Sequence, residues 1–547
     1  MNNITTTRYD IGAEVLSILT RGMYPDPKDA LREYIQNGVD ANANKINIYI
    51  RKNTITIDDN GKGMDLKTLR KAARVGVSEK SPGKDVGFMG IGIYSSFHLC
   101  DELTIYSKHE NSKACCLIMD FKQMKEFLES QKEKRLNKEI SSDELIDLQS
   151  LLEKYILIDD IEDSEFPNIG TRVELNGLNV EFLAEFSDFD ILSEYLKEVI
   201  PLEFDKENFT WANIIEKKIN QICHKYREKF ELVKVFLQVN NRSEYLYRSY
   251  KDQEFHNNKS YEPVFEELIN EDEFFGVIWG CLNSTRNKIA NKDLRGFLIK
   301  KQGFAISNRQ KLSPYLRQAY YDRYIGEVII VNSKILPNAA RNDFAYSNKR
   351  TILYKLIATA FETYNDKAHE VQEFTLGDEQ LDDCTKQLKD INNQFSLYTK
   401  DANKLVDVIV EIRRIKKIIF DRLERGSIRR ERVKDADKFI KASNEIESTI
   451  QATINTLTEQ SNKITKKQKE APKRVSKELD SIKTTTSNES NFNSLNTLIE
   501  SLDIPLTNDL KVLFNLIDER IIQALSSNEK HYFSLLTEIK EEFEKLN

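Results

Sequence analysis

The spacing of apolar and polar positions changes along the chain, and the changes mark out its parts. Near the start, DALREYIQNGVDANANKINIYI from Asp29 reads as a helix followed by a strand, and TITIDD from Thr54 alternates as a second strand. In the middle, ELVKVFLQV (231–239), FFGVIWGCL (274–282), GFLIKKQGFAIS (296–307) and GEVIIVNS (326–333) are β-branched and aromatic runs that predict strands. Charged, helix-like stretches lie around 121–155 and 180–230. Beyond about residue 365 the period becomes seven. Leu381, Leu388, Phe395, Ala402 and Ile409 make one series, and Cys384, Ile391, Tyr398, Leu405, Ile412 and Ile419 another. Their alternating steps of three and four are the pattern of a two-helix seam, satisfied by a coiled coil and by a long helical hairpin alike. A polar stretch, 461–493, reads as a linker, and 494–547 as a closing amphipathic helical segment. The expected fold is α/β, with a mixed middle and a helical end.

Composition narrows the function classes. At roughly 100–200 residues per domain, 547 residues suggest three or four structural units. Lys and Arg number 81 against 88 Asp and Glu, a net charge of −7, which argues against a chain-wide binder of polyanions. Local basic stretches remain: Arg422, Arg425, Arg429, Arg430 and Arg432, and the lysines between Lys463 and Lys477, so DNA stays open as a partner. No apolar run approaches the ~20 residues of a membrane helix, and MNNITTTRYD lacks a signal pattern, so a cytoplasmic protein without membrane contact is expected. The six cysteines show no CxxC spacing, which speaks for reduced thiols rather than disulfides or zinc. Ten of the 19 glycines fall within the first 100 residues, where backbone must turn tightly or approach a ligand; no proline occurs between Pro337 and Pro472, as long helices require.

The glycine-rich front holds four short patterns, each with an ordinary reading of its own. Glu33 and Asn37 stand four apart on one helical face, with Asp40 a further turn along. A carboxylate beside a carboxamide suits a water-orienting base next to an oxygen ligand for Mg²⁺, though exposed helices make such pairs by chance. Asp58 and Asp59 end a strand before Gly61, Gly63 and Met64, which fits a carboxylate receiving a buried amine, or a plain hairpin with Asn60 and Gly61 at its tip. Gly87, Gly90 and Gly92 precede an apolar helical start, a nest for phosphates. They fit neither a dinucleotide fingerprint nor a G-x4-GK[ST] loop. Gly170 and Thr171 open a strand.

Taken in order, E-x3-N-x2-DA, D-x-G-x-G, G-x2-G-x-G and a Gly-Thr strand resemble the nucleotide-binding signature of the GHKL ATPases, the gyrase B, Hsp90, histidine kinase and MutL group. RGMYPDPKDALREYIQNGVDA and GFMGIGIYSSFHLCDELTIYSK resemble the Hsp90 branch in particular, over roughly residues 10–180. The resemblance implies a GHKL two-layer α/β sandwich over 1–180, a transducer-like α/β domain over 181–360, a long helical or coiled-coil segment over 365–460, the linker 461–493 and the end segment 494–547. It implies ATP and Mg²⁺ as ligands. Glu33 then looks like the base that orients water, Asn37 like the Mg²⁺ ligand, and Asp59 like the acceptor of the adenine amino group with Thr171 in support. Gly61, Gly63 and Met64 would line the adenine edge. Gly87, Gly90 and Gly92 would be the phosphate-facing end of a lid spanning about 64–92. Asp40 would support the helix or its water, and Lys80 would reach phosphate or decorate the lid.

ILPNAARNDF from Ile335 resembles the Hsp90 middle-domain catalytic loop, with Asn338 and Arg341 three apart. Arg341 would neutralise γ-phosphate charge as an arginine finger. Lys300 or Lys301 stands where relatives such as MutL use a lysine. Nothing resembles the Hsp90 C-terminal dimerisation domain, and the heptads in that place resemble the architecture of the MORC ATPases. The expectation is an ATP-gated clamp, a homodimer through its N-terminal domain or its coiled coil, acting on a protein client or effector. A DNA clamp of MORC or MutL type, and an ATPase sensor subunit of a bacterial antiviral system, are the alternatives.

Overall fold

The computed structural model describes residues 11–24, 26–76, 90–141 and 145–469. Its first hairpin follows from alternation. β1 (Lys45–Arg51) turns Ile46, Ile48 and Ile50 inward, and β2 (Thr54–Asp59) turns Ile55 and Ile57 to the same core. The strands pair from Ile46↔Asp59 to Arg51↔Thr54, so their turn is Lys52–Asn53, with Lys52 left-handed at φ 54°. Asn60 and Gly61 are therefore not a hairpin tip; they carry the chain out of β2.

Six more strands complete this sheet: β3 (Cys100–Lys108), β4 (Cys115–Asp120), β5 (Ile156–Asp160), β6 (Gly170–Leu178), β7 (Lys234–Val239) and β8 (Arg242–Leu246). Their order is β5-β4-β3-β6-β2-β1-β7-β8, and β1–β7 is the parallel pair among antiparallel neighbours. The apolar face packs on α1 (Val15–Met23), α2 (Asp29–Asp40), α4 (Phe121–Leu136), α5 (Leu148–Tyr155), α6 (Val180–Phe186) and α7 (Phe189–Val199), while α3 (Leu66–Ala72) joins through Leu69. The sheet thus continues past residue 180. The outer edge of β1 is covered by a strand that comes more than fifty residues later, and Phe186, Leu192 and Leu196 belong to the same core.

Between α7 and β7 the chain forms α8 (Ala212–Lys225), which serves the second sheet instead. That sheet is β12-β11-β13-β10-β9, built from β9 (Val264–Asn270), β10 (Glu273–Leu282), β11 (Gly296–Lys301), β12 (Phe304–Ala305) and β13 (Tyr324–Ile330), with the one-turn α9 (Gln318–Tyr321) before β13. β11 and β13 are buried along their whole length because both faces are covered. Val277, Trp279, Ile325 and Ile329 face α8; Ile278, Phe297, Tyr324 and Val328 face the first turns of α10 (Asn348–Gln394) through Leu353, Ile357, Phe361 and Tyr364.

α10 starts at the cap Ser347, whose Oγ accepts from the Arg350 N–H at 3.1 Å, and runs 47 residues to Gln394. The heptad series does not continue as one helix. Phe395 to Thr399 form a turn, and α11 (Ala402–Glu424) returns antiparallel, with Gln387 bonded to Arg414 and Gln380 to Arg422. Leu381, Cys384 and Leu388 bury on α10, and Leu405, Ile409, Ile412 and Ile419 on α11. The hairpin alternative of the seam is the one present, and α12 (Val433–Lys469) packs back through Glu447 to Arg413 and Lys416. Residues up to Ile454 form one compact unit, and 455–469 begin a second. The expected segment 494–547 and the linker beyond Lys469 lie outside the described residues. No described helix is long and apolar enough to cross a membrane.

Candidate functional site

α2 is the spine of the site. Ala30, Leu31, Tyr34, Ile35 and Gly38 are buried, as an amphipathic helix requires, yet Arg32, Glu33 and Gln36 are buried too. A second cover explains this: the middle region lies against the polar face. The Arg32 Nη2 donates to the Ala305 carbonyl at 2.6 Å, and Arg341 reaches in from the loop before α10. Its Nη2 stands 2.5 Å from Glu33 Oε1, the two side chains being 13% and 5% exposed. Its Nη1 donates to Gln36 Oε1 at 2.8 Å. The first contact is an ion pair without hydrogen-bond alignment, so Glu33 Oε1 is left without an aligned donor among the described residues. Gly92 makes room for the other oxygen; a Cβ there would lie 2.7 Å from Glu33 Oε2.

Charge is concentrated at this face. Arg32 and Arg341 stand among the carboxylates of Glu33 and Asp29, and burial followed by the neighbouring Arg341 charge brings the Arg32 guanidinium down to about 10. Burial, then Glu33, holds the Tyr24 phenol well above its ordinary value. Asn37 and Asp40, half-buried, follow on the same helix.

The second half of the site stands where β2 ends. Asp59 pairs with Thr171 across β2 and β6, and its Oδ1 accepts from the Gly61 N–H at 2.8 Å. Burial pushes the carboxyl up to about 6, opposed by the N–H groups of Gly61 and Thr171. Ser107 ties the surroundings together: its Oγ accepts from the Met64 N–H at 2.8 Å, donates to the Gly170 carbonyl at 3.1 Å and lies 3.0 Å from Thr171 Oγ1. Gly63 and Gly170 let three backbones close up here. At φ 65° and 133°, their Cβ atoms would fall 2.0 Å from the Lys108 oxygen and 2.2 Å from the Asp59 oxygen.

Most expected residues therefore lie on two neighbouring groups of elements: Glu33, Asn37 and Asp40 on α2, where a Cβ at Gly38 would lie 3.1 Å from Asp59 Cβ, and Asp59, Gly61, Gly63, Met64 and Thr171 around β2 and β6. Within the expected lid of about 64–92 the Gly76 N–H donates to the Gly90 carbonyl at 3.0 Å; Lys80 and Gly87 lie outside the described residues. Gly92 opens a 3₁₀ turn, Gly92–Tyr94, rather than an α-helix. Asn338 does not join Glu33: its Nδ2 donates to Asn342 Oδ1 at 2.7 Å and shapes the loop that carries Arg341. Lys300 and Lys301 are buried and engaged elsewhere. Lys300 pairs with Glu327 at 3.2 Å, and Lys301 donates to the carbonyls of Val331 and Asn332 at 3.2 and 2.7 Å. Sequence reasoning missed Gln36 and Ser107. Gln36 stands three residues from Glu33, a spacing that shares its face; Ser107 faces inward by strand alternation with Ile105 and Leu103.

Residues 25–151 match the family described as histidine kinase-, DNA gyrase B-, and HSP90-like ATPase. The match spans Glu33, Asn37, Asp40, Asp59 and the glycines around them. This is a GHKL ATPase domain. The chain is similar to the chaperone protein HtpG of Acinetobacter baylyi, 29% identical over 139 residues, covering 19% of this chain and 22% of that protein. It is similar also to the chaperone protein HtpG of Polaromonas sp., 27% identical over 129 residues, covering 18% and 21%. The chain thus matches about a fifth of the length of these curated relatives. A crystal structure titled as the N-terminal domain of a DNA repair protein aligns with 64% of this chain and 98% of its own, at 14% identity and a TM-score of 0.37, too low to say more of the shared shape.

Proposed function

We propose that the chain is a Mg²⁺-dependent ATP hydrolase that works as an ATP-gated dimeric clamp on a protein partner. The observation that carries this reading is Arg341, contributed from 308 residues downstream, standing against Glu33 on the helix of the GHKL domain. A hydrolase that couples turnover to the position of a second region needs such a reach.

The residues divide the work. Asp59 accepts the adenine amino group, most strongly when its carboxyl is ionised, while Ser107 and Thr171 fix the strands on either side. Gly61, Gly63 and Met64 bring backbone and thioether to the base. Glu33 orients the attacking water and takes its proton, and Arg341 offsets charge that develops on the transferred phosphoryl group; in such transfer, positioning and charge stabilisation supply most of the acceleration. The Glu33 oxygen without an aligned donor fits a water, and the Arg341 guanidinium beside it fits a phosphate. Magnesium would be held by the phosphates with Asn37 from the protein, and when bound it neutralises phosphate charge.

The DNA reading gains little support. Arg422 pairs with Glu373, Arg429 with Asp378 and Arg432 with Asp382, so three of the five arginines in the first basic stretch brace the helical hairpin. Calorimetry and turnover on the full chain test the proposal. Mg-ATP should bind and be hydrolysed, and Glu33→Ala should bind with little change while turnover disappears. Absence of binding heat to the unaltered chain would end the reading; loss of affinity in Glu33→Ala would remove Glu33 as the base.

A further inference from the structure

Gln36 has the geometry of a part in the site that neither motif nor resemblance assigns. It is fully buried, although glutamine is seldom enclosed without partners. Its Oε1 accepts from Arg341 Nη1 at 2.8 Å, whereas its Nε2 finds no acceptor among the described residues. Of the two contacts that Arg341 makes on α2, this is the aligned one; the contact to Glu33 is close but off-axis. The arginine also holds a left-handed backbone at φ 52°, uncommon for a side chain of this size, and its carbonyl accepts from the Ser307 N–H at 3.1 Å. The loop is thus fixed from behind and aimed forward.

We propose that Gln36 is a positioning residue: its amide oxygen is the pivot that keeps the Arg341 guanidinium over the phosphate end of the site. The inference rests on the ATPase reading and deepens it. A neutral amide suits the task because it holds one edge of the guanidinium without competing in charge with a phosphate. The other edge, resting on Glu33 in this structure, swings from carboxylate to phosphate when nucleotide enters, and that exchange frees Glu33 to take a proton. The unpaired Nε2 then has a phosphate oxygen or the ordered water to donate to. A carboxylate at this position would hold the arginine harder and repel the nucleotide.

The test uses the full chain carrying Gln36→Met, which keeps volume and loses the acceptor, and Gln36→Glu, each alone and with Arg341→Ala. Hydrogen exchange over 336–344 without nucleotide reads the pivot independently of activity. Gln36→Met should raise exchange there several-fold, leave affinity for a non-hydrolysable ATP analogue within about threefold, and lower kcat by on the order of ten- to a hundredfold, as for a hydrogen bond to a charged group. With Arg341→Ala already present, Gln36→Met should cost nothing further. Gln36→Glu should keep the loop protected and weaken analogue binding. Unchanged exchange in Gln36→Met, or a loss of kcat equal with and without Arg341, overturns the proposal. A chain that neither binds nor hydrolyses ATP fails the ATPase reading instead, and the exchange arm still decides the pivot.

Discussion

Asp59 shows how one buried carboxylate sets conflicting demands. Its burial pushes the carboxyl up to about 6, with two N–H groups pulling the other way. Since the folded value lies above the unfolded one near 3.8, the fold is favoured while Asp59 is protonated, and that contribution is lost as pH rises through about 6. Ligand binding has the opposite sign, because an amino group donates much more strongly to a carboxylate than to the protonated carboxyl, whose O–H would compete with it. Asp59→Asn should therefore abolish ATP affinity and raise the melting temperature of the free protein at pH 7.5, through a stability gain of up to about 3 kcal/mol on the conversion of two pKa units. Affinity of the unaltered chain should fall about tenfold per pH unit below 6. Calorimetry from pH 5 to 8 and a thermal melt check both; a stable variant that still binds would mean the adenine sits elsewhere. At this scale the sequence was legible where placement depends on spacing along one element, as for Glu33 and Asn37 on one face of α2. It was silent on Gln36, whose partner is 305 residues away.

Among elements, the loop of residues 336–344 is the one whose shape matters most, and Asp343 is its anchor. The carboxylate takes Lys311 at 2.6 Å, Arg350 Nη2 at 2.7 Å and the Tyr354 hydroxyl at 2.7 Å. Burial would raise its pKa, but the hydrogen bonds from Arg350, Lys311 and Tyr354 outweigh it and hold the carboxyl well below the usual range. Asp343 also binds the loop to itself, its carbonyl accepting from the Asn338 N–H at 2.9 Å. Asp343→Asn should lower stability by about 1–3 kcal/mol, the cost of leaving charged donors half-paired, and slow turnover while ATP affinity is kept. Melts and kinetics on one preparation check this, and unaltered turnover would show that the loop is shaped by other contacts. Strand and helix runs were readable because their periods are local. The heptads were readable as a seam but not as a hairpin, since Phe395, Tyr398 and Ala402 keep the count of seven straight through the turn that reverses the chain.

For the molecule as a whole, chain order and structural order disagree, and the disagreement has a consequence for how it can be cut. Sequence likeness fades near residue 180, yet the first sheet is completed by β7 and β8, and α8, lying between β6 and β7 in the chain, packs on the second sheet. The path leaves the first core, serves the second and returns. A fragment of residues 1–180 would expose the backbone edge of β1 and remove Phe186, Leu192, Leu196 and Leu237 from the core that also holds Ile35 and Ile48. An open edge beside an incomplete apolar face promotes association between copies. The fragment should therefore be aggregated or loosely folded and bind no ATP, although it contains every nucleotide-binding residue named from the motifs. The chain through Ile454 should melt as one cooperative transition, shifted upward by about 2.7 kcal/mol when Mg-ATP is present at a hundred times its Kd. Light scattering and calorimetry on the two preparations decide the matter: a monomeric 1–180 fragment with full affinity would show that the later strands are an accessory, and that coupling between site and middle region does not begin in a shared sheet.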